Sequence, residues 1–267
     1  MVDISESIKA LKTAVPSCPI LDGISIQHHK TLEMLKIIRF RRKKAVQSYE
    51  LYMSFRGKYH DAMLAEFRDF LISIKTTLDS LAHELCLVFS LRVPERRISF
   101  NLHNFVNALE ARNKQFADNI RAFCENGNWF QYFLDLRNSQ THRGLLEGRH
   151  YARINVTRDT GIRAVYEKFG MTKEILDVPD ERQLSIPHRQ EEEEKRDRAI
   201  QEVRFLLPDN PKEVDSKKLV YEKRIFFGKY ITELSSNIDS LFIICYKEAI
   251  KELNLLRKGI SEGARCV

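Results

Sequence analysis

Cysteine is scarce and scattered in this chain. The five residues Cys18, Cys86, Cys124, Cys245 and Cys266 form no Cys-x-x-Cys pair and have no histidine at metal-ligand spacing. An odd number of dispersed thiols argues against a disulfide framework, so they read as reduced cysteines and the protein is expected to be cytoplasmic. Long apolar runs are missing too, and no segment is expected to span a bilayer. Residues Met1 to Leu21 include Asp3 and Glu6 and hold no uninterrupted apolar core, so they do not read as a signal peptide. There is no Gly-x-Gly-x-x-Gly, no Gly-x4-Gly-Lys-Ser/Thr loop and no strand-helix alternation to host one, which excludes a Rossmann or P-loop enzyme. Gly-x-Ser-x-Gly is absent. His28-His29 and the His142/His150 pair lack the carboxylate and cysteine company of a metal site, so neither a metal nor a cofactor is expected. Internal repeats are not evident.

What remains is a chain of 267 residues, 43% hydrophobic, enough for one large core. Lys plus Arg exceeds Asp plus Glu by 44 to 37, giving +7 and a mild bias toward polyanions. Helical spacing dominates. Residues His28 to Met53 carry Leu32, Leu35, Val46, Tyr49 and Met53 at mostly helical intervals, interrupted by the basic cluster Arg39, Arg41, Arg42, Lys43 and Lys44. That cluster can grip phosphates or simply form a solvated face. Met63, Phe67, Phe70, Ile74, Leu78, Leu81, Leu85 and Val88 step by three or four and define an amphipathic helix that Pro94 is expected to stop. Its polar side is read as Asp79, His83 and Glu84, with Asp79 and His83 as i, i+4 partners. Phe105, Leu109, Phe116, Ile120 and Phe123 suggest a third helix, closed by the Glu125-Asn126-Gly127-Asn128 turn.

After Gly144 the period changes to two. Ala152, Ile154 and Val156 alternate with polar residues, Arg158-Asp159-Thr160-Gly161 supplies a turn, and Ile162 to Phe169 can return, so a small β-hairpin is expected at about 151–169. Residues of about 177–210, with Pro179, Pro187, Pro208 and the Glu191 to Glu194 run, read as a charged surface connection. Lys217 to Leu256 closes the chain with a heptad-like seam of Phe227, Ile231, Leu234, Ile238, Leu241 and Cys245, fit to pack in a bundle or across a dimer. The expected fold is mainly α, one domain over 1–267, a helical bundle with a small hairpin insertion.

The chemistry is concentrated in Arg137-Asn138-Ser139-Gln140-Thr141-His142, directly behind the aromatic run Trp129 to Leu134. A permanent cation, a carboxamide and an imidazole within two turns suit a phosphodiester. On a helix Asn138 and His142 share a face, whereas Arg137 and His142 diverge by roughly 140°. One copy is therefore a poor closed site, and two copies across a twofold axis make a better one. A plainer use of the same residues is Arg137 as a surface cation and His142 in the helix end before Gly144.

The stretch resembles the Arg-x4-6-His motif of the HEPN superfamily, all-helical domains many of which are metal-independent RNases, and Asn138 directly after the arginine is common there. The resemblance spans roughly residues 28 to 160 and the C-terminal helix. It implies a homodimeric endoribonuclease with a composite cleft, in which Arg137, Asn138 and His142 are catalytic. An RNA 2′-OH would attack the neighbouring phosphate, the two histidines acting as base and acid, with Arg137 on the phosphate and Asn138 orienting an oxygen or the His142 ring. Arg143, Arg149 and Arg153, with Arg158 and Arg163, would extend a basic groove for RNA beside the Arg39 to Lys44 cluster. Relatives that are toxins or antiviral-defence effectors imply an antitoxin or defence partner. One departure is Gly144, which stands where nucleotidylated HEPN toxins carry tyrosine; Tyr151 is the nearest tyrosine downstream. Two rival readings remain: a non-catalytic helical dimerisation or interaction module, and an RNA-binding protein that uses the Arg39 to Lys44 cluster without cleavage.

Overall fold

In the computed structural model, residues 4–14, 18–54, 59–142, 149–154, 200–212 and 225–261 are described. Seven α-helices are present among them: α1 (Ser5–Ala14), α2 (Pro19–Ser54), α3 (His60–Val88), α4 (Asn104–Glu110), α5 (Lys114–Glu125), α6 (Trp129–His142) and α7 (Phe227–Ser261). Three strands accompany them, β1 (Arg149–Ile154), β2 (Ile200–Leu207) and β3 (Ile225–Phe226). The fold is thus mainly α with a small antiparallel β element. Where the sequence reading has one domain, the chain divides into two compact units, one of Met1–Ala45, Glu66–Asn138 and Thr232–Val267 and one of Val46–Ala65 and Ser139–Ile231.

The first unit is built on α2, α3 and α7. Gln27 and Thr31 of α2 bond to Ser80 of α3, and further along Thr77 donates to the Met34 carbonyl at 3.3 Å, so the two helices run antiparallel. The seam of α3 is the apolar one read from the sequence, and Phe67, Phe70, Ile74, Leu78, Leu81, Leu85 and Val88 are all buried. Burying each such side chain contributes about 1.5–3 kcal/mol, which makes this helix a large contributor to the core. Pro94 is not what ends it. Ser90 sits at φ 50, Leu91 N–H donates to the Cys86 carbonyl at 2.8 Å and Ser90 N–H to the Leu87 carbonyl at 3.2 Å, a Schellman turn that closes the helix four residues before the proline.

Helix α2 differs from its expected stripe. Its buried residues Leu21, Ile24, His28, Thr31, Leu35 and Ile38 recur by three and four, with Ala45 and Tyr52 following at intervals of seven, whereas Ile26, Ile37 and Phe40 are exposed. Helix α7 buries Leu234, Ile238, Leu241 and Cys245 within this unit, so its seam serves the bundle. It begins at Phe227 rather than Lys217, because Ile225 and Phe226 form β3; residues 213–224 lie outside the described ones.

The single third helix expected from Phe105 to Phe123 is two. Asn113 breaks it, its side chain accepting from Phe116 N–H at 3.0 Å to cap α5. Arg121 of α5 bonds back to Glu110 and Asn107 at the α4 side, holding the two helices together. The Asn126–Asn128 turn then reverses the chain with Gly127 at φ 67, where a side chain would strain the backbone. Beyond it α6 anchors itself through buried Phe130, Phe133 and Leu136, with Trp129 donating to the Phe123 carbonyl at 2.9 Å. These aromatics build core.

In the second unit the sheet order is β1-β2-β3, antiparallel throughout. The first strand of the expected hairpin is present, but its expected return at 162–169 lies outside the described residues. The strand that pairs with β1 is β2, with Arg149 opposite Leu206 and Arg153 opposite Glu202. Strand β2 arises from the end of the stretch read as a surface connection, and its Phe205, Leu206 and Leu207 are buried; that reading is corrected there, and 177–199 lie outside the described residues. Phe205 packs edge-on against Tyr52, His60 and Phe227 at 5.6–5.8 Å between centroids, the aromatic core of this unit. Gly228 lies close under Tyr49, where an added Cβ would stand 3.1 Å from the ring.

Candidate functional site

Arg137 and Asn138 lie on α6 just past the buried Leu136. Arg137 is half-buried and Asn138 exposed. Adjacent helical positions point about 100° apart, yet the long arginine bends back so that Nη1 donates to Asn138 Oδ1 at 3.0 Å. The carboxamide thereby orients the guanidinium. Ser139 is buried, and the backbone of α6 continues in helical form through His142, one turn beyond Asn138.

The five basic residues of α2 differ in their surroundings. Arg41 is engaged with Asp69 at 3.3 Å and Glu66 at 3.6 Å. Arg42 is half-buried and, with Arg39, borders a shallow hollow shared with Asp239 and Ser235. Arg39, Lys43 and Lys44 face solvent, and the Lys44 ammonium lies 5.8 Å from the centre of the exposed Phe40 ring. Of the arginines after the motif, Arg149 and Arg153 belong to β1; Arg143, Arg158 and Arg163 lie outside the described residues.

The Asp79/His83 partnership is likewise replaced. Asp79 accepts from Lys75, from Ser99 Oγ at 2.8 Å and from Phe100 N–H at 2.8 Å, tying the loop after α3 back to that helix. Glu84, read as part of the polar face, is fully buried.

Glu84 belongs to a polar cluster that sequence reasoning missed. His28 Nδ1 lies 2.8 Å from Glu84 Oε1, His28 Nε2 lies 3.1 Å from Ser5 Oγ, and Tyr246 O–H donates to Glu84 Oε2 at 3.2 Å. One connected set of side chains thus ties α1, α2, α3 and α7. His28 is 1% exposed and Glu84 and Tyr246 are 0% exposed, so these bonds sit at low dielectric. The cluster joins residues up to 162 positions apart, a distance at which spacing carries no signal.

Three cysteines nearby are poor nucleophiles. Burial pushes the Cys86 thiol up to about 11 and, with a small contribution from Glu125, the Cys124 thiol up to about 12. Burial, then Cys124 and Glu84, raises Cys245 well above the ordinary thiol value. Among the described residues no three histidine, cysteine or carboxylate side chains gather so as to hold a metal ion, and no helix is long and apolar enough to cross a membrane.

No family model, curated protein or solved structure matches the chain.

Proposed function

We propose that the protein is a metal-independent endoribonuclease that works as a homodimer, with RNA as substrate. The supporting observation is the Arg137–Asn138 hydrogen bond, which holds the guanidinium against the neighbouring carboxamide on a helix that continues to His142. In this reading each protomer presents Arg137 and Asn138 to the scissile phosphate, and His142 from the two copies moves the protons of 2′-OH attack and 5′-oxygen departure. Arg39, Lys43 and Lys44, exposed and close in sequence, would track the RNA backbone. A toxin or antiviral-defence role, with an antitoxin or defence partner, extends the same proposal.

The test is incubation of the purified protein with mixed RNA in EDTA, wild type beside Arg137→Ala and His142→Ala. Expected are 2′,3′-cyclic phosphate or 3′-phosphate ends and a loss of about a hundredfold or more in each variant without a change in melting temperature. Strict Mg²⁺ dependence, or 3′-hydroxyl ends, overturns the mechanism.

A second reading rests on α2, whose Ile26, Ile37 and Phe40 are exposed within a sector of roughly 60° of one another. Such a stripe favours a helical interaction module. Activity lost only in step with melting temperature, alongside oligomers disrupted by Phe40→Lys, would decide for it.

A further inference from the structure

Helix α2 carries a second row of residues that its buried seam does not use. Ile26, Lys30, Glu33, Ile37, Phe40 and Lys44 step alternately by four and three, and every one of them is exposed. At about 100° per residue they fall within a sector of roughly 80°, opposite the face that buries Ile24, His28 and Leu35. Alternation of four and three is the spacing of a coiled-coil seam. Ile26, Ile37 and Phe40 are 72%, 43% and 55% exposed, so half of these positions present large apolar side chains to water.

The order of residue types along the row points to its occupant. It runs apolar, basic, acidic, apolar, apolar, basic, and continues at the same spacing with Gln47 and Leu51, both exposed. Laid antiparallel on a copy of itself, with a twofold axis passing between positions 38 and 39, Ile37 meets the partner's Phe40 and Glu33 meets the partner's Lys44. The outer positions follow, Lys30 on the partner's Gln47 and Ile26 on the partner's Leu51. Every layer is matched in kind. A slip of one heptad sets Glu33 on the partner's Ile37 and Lys30 on the partner's Phe40, and the opposite slip sets Phe40 on the partner's Lys44. A parallel pair sets Lys30, Glu33 and Lys44 each on its own copy, like charge on like charge. Only the first arrangement satisfies the row, so the same residues that attract a second copy also reject its wrong placements.

We propose that this face of α2 is a homodimer interface, an antiparallel helix pair formed with a second copy of the chain. The proposal rests on the interaction-module reading of the exposed stripe and gives it an occupant and a register; it is separate from the α6 motif. In the single chain Glu33 holds Lys36 through Oε1 at 2.6 Å, an exposed contact that contributes little, and the Lys44 ammonium lies over Phe40 at 5.8 Å. Pairing offers the second Glu33 carboxylate oxygen to Lys44 of the partner subunit, next to apolar layers that exclude water and strengthen the attraction. The flank holds one adverse pair, Lys36 facing the partner's Lys43, and one favourable pair, His29 facing the partner's Glu50; all four residues are exposed.

The experiment is sedimentation velocity on the full chain without RNA, at concentrations up to about 100 µM, with circular dichroism to confirm unchanged helix content. Wild type is expected to dimerise. Glu33→Lys and Lys44→Glu should each weaken the dimer at least about tenfold, because each puts like charges into two layers. Mixed in equal amounts, these two variants should recover a dimer, and so should the double variant on its own. Lys43→Glu should tighten it by removing the adverse flank pair. A wild type that stays monomeric overturns the proposal. Single charge reversals that leave the dimer intact also overturn it, since a parallel pair or another face would then hold the copies together. If Phe40→Lys breaks the dimer but the mixed variants do not reassemble, the interaction-module reading stands and the antiparallel register falls. If Phe40→Lys has no effect, both fall. None of these readouts involves RNA cleavage.

Discussion

Replacing Glu84 with leucine should be among the most damaging single changes in the first unit, although it puts an apolar side chain into an apolar place. Glu84 is 0% exposed and both carboxylate oxygens are used, one by His28 at 2.8 Å and one by Tyr246 at 3.2 Å. Leucine removes the acceptor of two buried donors, His28 Nδ1–H and Tyr246 O–H. Each such group costs about 1–3 kcal/mol, and the sum agrees with the roughly 3–5 kcal/mol found when one member of a buried pair is deleted. His28→Leu alone should cost a similar amount. The double variant removes an imidazole together with its acceptor, so among the buried groups Tyr246 O–H loses its Glu84 acceptor and the loss should shrink to about 1–3 kcal/mol. Adding Tyr246→Phe should recover most of that, since well-packed apolar groups in place of a complete polar cluster are close to neutral. The assay is a urea-denaturation cycle over the four variants and wild type, read at constant m-value so that differences report stability. If the Glu84→Leu and His28→Leu losses simply add in the double variant to within about 0.5 kcal/mol, the two side chains are not coupled and the cluster does not hold the helices as argued.

Other expectations are local. Ser90→Gly relieves a left-handed residue in the Schellman turn and should stabilise by about 0.5–1 kcal/mol in thermal melts. Asn113→Ala deletes the α5 cap and should cost about 1 kcal/mol by the same measurement. For the thiols, Cys86 and Cys124 hold their protons in the fold up to about 11 and about 12, against an ordinary value of 9.0. The folded state then binds more protons than the unfolded one above pH 9, so this stability is complete below pH 9 and declines as pH rises toward 11, by up to about 1.4 kcal/mol per unit per thiol. Urea midpoints at pH 8 and 10, repeated with Cys86→Ala and Cys124→Ala, check the slope; a slope unchanged in both variants refutes the assignment to these thiols.

What could be read from the sequence follows the range of the interactions involved. Helix α3 was legible because its apolar residues from Phe67 to Val88 step by three and four, whereas the Arg137–Asn138 contact was not read, Asn138 having been expected to orient a phosphate oxygen or the His142 ring. Helix α2 was not, since two of its seam positions are His28 and Thr31, while Ile37 and Phe40 sit outside the seam. A hydropathy pattern assigns such residues to the wrong faces. Glu84 was misplaced for the same reason, and β2 because its partner β1 lies across a long intervening stretch. The break at Asn113 was open to discovery, as an asparagine three residues before a buried phenylalanine is a helix-start signal. A comparable signal existed for the cluster. On α2, His28 and Thr31 fall three apart between Ile24 and Leu35, and on α3, Ser80 and Glu84 fall four apart between Leu78 and Leu85, so each helix carries two polar residues in or beside its apolar phase. Burying either pair alone is costly. The pairs offset each other only if α2 and α3 meet antiparallel in the one register that sets Thr31 on Ser80 and His28 on Glu84. A shift by one helical turn would strand all four, so these polar residues supply a preference among packings that the surrounding leucines and isoleucines cannot.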